Sequence, residues 1–512
     1  MDHLDFFSSS TPQRPSWGVT IGALVLIYWA GNIIYNLYFH PLAGVPGPRL
    51  CAATRLAFLK SLITGNRHHD VKALHKIYGD IIRTAPDEVT FVREDAWHEV
   101  LGPTAAHKAF PRDKTFFQTP KGQPTNLVLE CNVEEAARMR QVALPAYSER
   151  ALMRQEPRIQ AYARLMADRL MERASASEKG TVINVVDWAN WFAFDLVGEL
   201  AFGESFGCLE ETRAHPWVEL LFNSLKFLTL ATTTRFYWGL EGLLMSLVPR
   251  SLKKMQADHY NTAVERVRRR VSDSVDRDDF IAPMIDQTNN PNFERMTMEE
   301  IESTMSLLLI VGSETTGTTL CGTLNNLTQH PEQLRRLEKE VRGAFEREED
   351  MTLLALQNLP FLNAVISEGL RVCHPLTAGI LRRAPKGGAT VCGIYLPEDT
   401  HICLSVISIG LSEKNFHRAE EFLPERFLPD GLRPAEFDND QRSTQRPFGA
   451  GLRSCIGKSF AMAEMRVFLA RLVWKFDLSA APGKPVVWGD LKGYSVVEKV
   501  PINIVVKPRY FE

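Results

Sequence analysis

The ten residues Phe448-Gly449-Ala450-Gly451-Leu452-Arg453-Ser454-Cys455-Ile456-Gly457 constrain this chain most, because they form a glycine-rich loop running into a helical pattern from Ile456 through Trp474. A sulfur at the start of that helix faces unpaired backbone N–H groups and the positive end of the helix dipole, and both favour thiolate over thiol. Gly449, Gly451 and Gly457 leave little side-chain bulk where the loop must fold tightly and lay its backbone against a flat ligand. Phe448 would shield the sulfur from water, while Arg453 offers a permanent charge and five donors suited to a carboxylate such as a haem propionate. A cysteine on its own is more often an inert buried residue. Glycines, Phe, Arg and Cys together at these offsets suit a thiolate bound to haem iron instead.

The segment resembles the haem-binding signature of the cytochrome P450 family at every fixed position. That resemblance implies a mainly α fold with small β-sheets, the cytochrome P450 fold, holding haem b with Cys455 as its axial iron ligand. Phe448, Gly449, Arg453 and Gly457 would then contact the cofactor. A helix opening at Thr297, whose hydroxyl and Glu300 make a capping box, leads to Val311-Gly312-Ser313-Glu314-Thr315-Thr316. This hexamer resembles the family's oxygen-activating motif. Gly312 would let the helix open locally for O2, Thr315 would donate a hydrogen bond to the oxygen, and Glu314 would relay protons from solvent through water. A threonine within a helix also commonly bonds its own i−4 carbonyl, and that alternative stays open. Val311 departs from the family's usual Ala or Gly, and its bulk narrows the expected pocket.

Glu368 and Arg371 lie three residues apart on one helix face. Exposed, such a pair contributes only about 0.3–0.5 kcal/mol. Phe422-Leu423-Pro424-Glu425-Arg426-Phe427 resembles the family segment whose arginine completes a buried cluster, so Glu368, Arg371 and Arg426 are expected to brace the layer beneath the haem loop. By the same resemblance Arg382, after the Pro375 bend, and Arg140 would join Arg453 on the propionates. Ala136 stands where the family usually has Trp or His, so that either Arg138 or a loop residue replaces that contact or one propionate is more solvated than usual. By analogy Leu308, Val311, Gly312, Thr377, Ile380 and Val496 line the substrate pocket, whose apolar content suggests a lipophilic small molecule.

From Trp17 to Phe39 the chain is almost free of charge, and about 20 helical residues cross a bilayer core. A transmembrane helix is expected at 17–39, after a short tail at 1–16. A cleaved signal peptide is the rival, disfavoured by Asp2, Asp5 and a single basic Arg14 before the span. Arg49, Arg55 and Lys60 follow it and put the catalytic domain in the cytosol, at the endoplasmic reticulum surface. Pro41, Pro46, Gly47 and Pro48 make residues 40–49 a stiff hinge, similar to that of fungal microsomal members. The 512 residues suggest about three domains by length, but motifs from Arg140 to Cys455 converge on one cofactor, so 50–512 is expected to be one catalytic domain.

A net charge of −2 gives no sign of a nucleic-acid partner, and the eight cysteines show no C-x-x-C pair or zinc spacing. The chain contains no flavin or nicotinamide module. Electrons are therefore expected from NADPH–cytochrome P450 reductase, with cytochrome b5 as a further donor, docking near Lys458 and Arg138. The stretch from Leu200 to Glu210 resembles fungal members that hydroxylate trichothecene-type sesquiterpenoids, so hydroxylation of a terpenoid or polyketide secondary metabolite is the leading expectation. The alternatives are the same fold catalysing a rearrangement, dehydration or oxidative coupling without oxygen insertion, and a serine hydrolase. The last rests on Gly203-Glu204-Ser205-Phe206-Gly207, a G-x-S-x-G that needs a strand immediately before Ser205.

Overall fold

Uncharged, apolar residues from Trp17 onward form helix α1 (Trp17–Ile34), which continues through a π-helical turn at Tyr35–Phe39. The 23 residues have a mean hydropathy of 1.6, and none of Trp17–Ile34 is buried against the rest of the protein, which is the length and composition needed to cross a bilayer. The computed structural model describes residues 17–102, 110–120, 122–175, 177–215, 226, 229, 231–236, 240–273, 277–288 and 295–509. The expected tail at 1–16 lies outside them.

The segment expected as a hinge is strapped to a sheet. Ile81-Ile82-Arg83-Thr84 and Glu88-Val89-Thr90-Phe91 alternate around Pro86-Asp87 and form the antiparallel hairpin β1 (Ile81–Ala85) and β2 (Glu88–Phe91). With β3 (Ile380–Arg383) and β4 (His401–Leu404) they make a sheet of order β1-β2-β4-β3, β2 running parallel to β4. The backbone N–H of Arg83 donates to Pro46 O at 2.7 Å, and its guanidinium donates to Asn36 O at 2.9 Å. Asn36 in turn donates to Ala53 O at 3.1 Å. Leu42 is buried in the apolar cluster around Val89, Phe91, Trp97, Ile402 and Leu404. Prolines stiffen the connector, and these contacts fix it to the body.

Most of the body is helical. Helices α2 (Val133–Ala143), α3 (Glu149–Ala174), α4 (Val185–Phe202), α5 (Met298–Gln329), α6 (Pro360–Val372) and α7 (Lys458–Lys475) surround one large apolar core. The capping box expected at Thr297 starts α5: its hydroxyl accepts from Glu300 N at 3.2 Å, and Glu300 accepts from Thr297 N at 2.9 Å. The 32-residue α5 is buried along much of its length, against α4 on one side and α6 on another. Two glycines let α5 and α6 approach: a Cβ on Gly322 would lie 2.4 Å from Cys373 Cβ, and one on Gly369 would lie 2.1 Å from Thr323 Oγ1. Small sheets at Thr181–Asn184 with Phe476–Ala480 and Asn503–Pro508, at Ala389–Val391 with Ile394–Leu396, and at Gly493–Tyr494 with Val496–Val497 complete the described fold.

Candidate functional site

The loop before α7 turns twice through left-handed glycines, Gly449 at φ 70° and Gly451 at φ 67°. A Cβ on Gly451 would strike the carbonyl of Leu101 at 1.8 Å, so that glycine is set by close backbone approach as well as by φ. Gly457 differs: its φ is −84°, and a Cβ there meets no protein atom within 4 Å. The protein's own packing does not demand glycine at Gly457. The N–H of Cys455 donates to Phe448 O at 2.8 Å, tying the phenylalanine's backbone to the cysteine's. Cys455 is exposed. Burial pushes its thiol up, while the Gly457 N–H and Arg140 pull it down. All eight cysteines are free. Cys208, Cys321, Cys392 and Cys403 are each pushed up to about 12, first by burial.

Four guanidiniums gather beside this loop. Arg140, on α2, donates to Ser454 O at 2.7 Å and Ser454 Oγ at 3.2 Å. Arg453 donates to Glu130 O at 2.8 Å and Asn132 O at 2.7 Å, and Arg382 on β3 reaches only Leu381 O, at 2.8 Å, among its described partners. The fourth is Arg112, which no motif indicated. It bridges Arg382 through the backbone and donates to Leu127 O at 3.2 Å. None of the four forms a salt bridge with a carboxylate of the described residues. Burial, then Arg453 and Arg382, bring Arg112 down to about 9; burial, then Arg453, bring Arg382 to about 10. A guanidinium keeps its proton in a protein. Buried positive charges without a carboxylate partner among the described residues suit anionic groups such as two carboxylates. Ala136 is itself buried, and Arg138, one candidate for the contact missing there, is paired with Glu300 at 2.7 Å and Glu135 at 2.8 Å. That pairing also removes Arg138 as a docking cation, whereas Lys458 is exposed at the first turn of α7.

On α5, Val311 and Thr315 share a face one turn apart, and Val311 is exposed although Ser313 and Glu314 beside it are buried. The Thr315 hydroxyl donates to Val311 O at 2.8 Å, the i−4 bond left open from sequence. Glu314 is 4% exposed, and its carboxyl is ion-paired, Lys499 Nζ to Glu314 Oε2 at 2.7 Å. Burial pushes its carboxyl up, and Lys499 pulls it back.

The bracing cluster is assembled with one more member. Arg371 makes a bidentate pair with Glu368, both bonds at 2.7 Å, and Arg426 donates to Glu368 at 3.2 Å and to Asp440 at 2.5 Å. All of these side chains except Asp440 are fully buried, and Asp440 nearly so. Two acids thus balance two arginines, and Asp440 carries no spacing signal that would have revealed it. Of the expected pocket residues, Leu308 and Gly312 lie on α5 with Val311. Thr377 is buried against Gly493, its N–H donating to Ser495 O at 2.9 Å, and Leu376 bridges Val496. Ile380 reaches Gly449, 3.5 Å from its Cβ position. Ser205 fails the hydrolase test, because helix α4 precedes it where a strand is required, and its hydroxyl accepts from Gly207 N at 3.1 Å.

Fold and site together define a mainly helical protein in which four arginines without a salt bridge among the described residues stand beside a cysteine loop. The cytochrome P450 family matches residues 46–504. A cytochrome P450 monooxygenase of Purpureocillium lilacinum, lcsI, is 35% identical over 490 residues, 95% of this chain and 93% of its own. One of Aspergillus oryzae, astJ, is 36% identical, covering 93% and 94%. The averantin hydroxylase of Dothistroma septosporum is 34% identical, covering 96% and 91%. The chain belongs to the cytochrome P450 family and is a monooxygenase of the fungal kind. The family implies haem, O2, a small-molecule substrate and a redox partner.

Proposed function

We propose that the chain is a haem b monooxygenase, held in the endoplasmic reticulum membrane by α1 with its body in the cytosol, that hydroxylates a lipophilic fungal secondary metabolite of terpenoid or polyketide class. The observation that carries this reading is the set of four arginines, Arg112, Arg140, Arg382 and Arg453, without a salt-bridge partner among the described residues, beside the exposed Cys455. In this reading Cys455 would hold the haem iron through its sulfur and the arginines would hold the two propionates. Glu368, Arg371, Arg426 and Asp440 keep the loop's support rigid, with residues 50–512 as the catalytic domain. Haem, when bound, supplies O2 activation with electrons passed on from NADPH by a separate cytochrome P450 reductase, assisted by cytochrome b5.

The chain's own part is positioning and proton supply. The hydroxyl oxygen of Thr315 keeps lone pairs free while its proton bonds Val311 O, and the carboxyl of Glu314 next to it can carry a proton. Leu308, Val311 and Ile380 present apolar surface to the substrate, with Thr377 and Val496 closing the far side. Lys458 offers a docking charge for an acidic partner.

Two measurements test this. The reduced, CO-treated protein should show the absorption of a thiolate-ligated haem, and Cys455→Ser should lose it. Turnover under ¹⁸O2 with NADPH and reductase should label the product. An unlabelled, redox-neutral product would replace hydroxylation by rearrangement or dehydration.

A further inference from the structure

Lys499 comes from the segment after Val496–Val497 and reaches across α4 to α5. Its ammonium has acceptors on both helices: Glu314 Oε2 at 2.7 Å and Thr318 Oγ1 at 3.1 Å on α5, and Asn190 Oδ1 at 3.1 Å on α4. Thr318 also donates to Glu314 Oε1 at 3.4 Å. Gly317 makes the arrangement possible, since a Cβ there would meet Asn190 Oδ1 at 2.9 Å. Both charged side chains are withdrawn from solvent, at 7% and 5% exposure. We propose that Lys499 is the positioning residue of Glu314, fixing the charge and the direction of that carboxyl and so governing proton delivery to the oxygen site. The proposal rests on reading Glu314 as the proton carrier.

Successive residues on a helix point about 100° apart, so a carboxyl held by Lys499 is turned away from the face that presents Val311 and Thr315. The ammonium lies 2.7 Å from Glu314 Oε2, and the Thr318 hydroxyl donates to the other carboxyl oxygen at 3.4 Å. Without the ammonium, a buried carboxyl takes up a proton at higher pH. Burial and Lys499 already act on it in opposite senses. The other titratable groups felt in this corner are Cys321 on α5 and Asp187 on α4, with Arg173 acting on Asp187. A neutral amide and a neutral hydroxyl also accept from the ammonium, and Lys499 is the cation that acts on Glu314.

The test uses full-length, haem-loaded enzyme carrying K499M, K499Q, K499R, E314Q and K499M/E314Q. Infrared difference spectra against the E314Q background follow the Glu314 carboxyl through a pH titration. Its midpoint should rise by about one to three pH units in K499M and K499Q, the usual effect of removing an adjacent opposite charge, and return in K499R. With reductase and NADPH and no added substrate, the NADPH:O2 ratio separates reduction to water from release of peroxide. The water-to-peroxide ratio should fall about tenfold or more in K499M and K499Q, recover in K499R, and fall no further when K499M is added to E314Q. An unmoved infrared midpoint overturns the role of Lys499. An equal loss in the E314Q background overturns it too, by showing an effect that does not pass through Glu314. If E314Q itself partitions O2 like the wild type, Glu314 is not the proton carrier and Lys499 loses its role, even where the midpoint shift survives.

Discussion

Arg112 illustrates how a single side chain can complete a site without leaving a trace in local sequence. Arg140, Arg382 and Arg453 were readable because each sits at a family motif, while Arg112 joins them only through the backbone bridge to Arg382. Charge-assisted hydrogen bonds contribute about 1.5–3 kcal/mol each. R112A should therefore lose haem to an acceptor globin about tenfold faster or more than the wild type, with its thiolate absorption unchanged; equal loss rates would remove Arg112 from the site. A second residue, Glu464 on α7, is fully buried, and neither carboxyl oxygen has a formed hydrogen bond among the described residues, although Thr316 lies beside it. Burial raises its carboxyl to about 8. Below the unfolded value, near 4.5, both states are protonated and no penalty arises. Between there and 8 the unfolded chain ionises first, so stability is lost as pH rises, by up to a few kcal/mol. E464Q should flatten this slope: its melting temperature should gain on the wild type from pH 5 to pH 8, and the gap should level off above. Parallel curves would mean that the folded carboxyl ionises normally.

Among the secondary-structure elements, α5 and α6 are set by what they lack. At Gly322 and Gly369 the facing Cys373 and Thr323 occupy the space that a side chain would need. Adding a methyl forces the helices apart, and overpacking of this kind costs about 1–3 kcal/mol. G322A should lower the melting temperature, and repacking with C373G beside it should restore part of the loss. The hairpin of β1 and β2 and the start of α5 were legible because turn residues and a capping box are local signals. Glu368 with Arg371 was legible for the same reason. Asp440 and the Lys499–Glu314 pair were not, since Asp440 joins Arg426 from 14 residues away and Lys499 joins Glu314 from 185, and no helix or strand periodicity spans such distances. Thr315 marks the limit differently: the sequence left two partners open for its hydroxyl, and helix geometry chose Val311 O.

For the whole molecule, the apolar span and the helical body were plain from composition, but the join between them was not. Prolines and glycine at 40–49 read as a hinge, and the structure buries Leu42 and bonds Pro46 and Asn36 to Arg83. Two truncations separate these views. A chain starting at Tyr35 keeps Asn36, whereas one starting at His40 leaves the Arg83 guanidinium without that carbonyl, a loss of about 1–3 kcal/mol. Both should leave the membrane fraction, and the shorter should melt at lower temperature; identical melting would make the strap irrelevant. The seam at Asn36 also gives α1 a phase. Because the helix is clamped at its lower end, each residue inserted above the clamp turns the segment beyond it by about 100° and lengthens it by about 1.5 Å. Anchors of equal hydropathy are therefore not interchangeable here: a graft must match this one in rotational register, or it presents a different side to its neighbours in the bilayer.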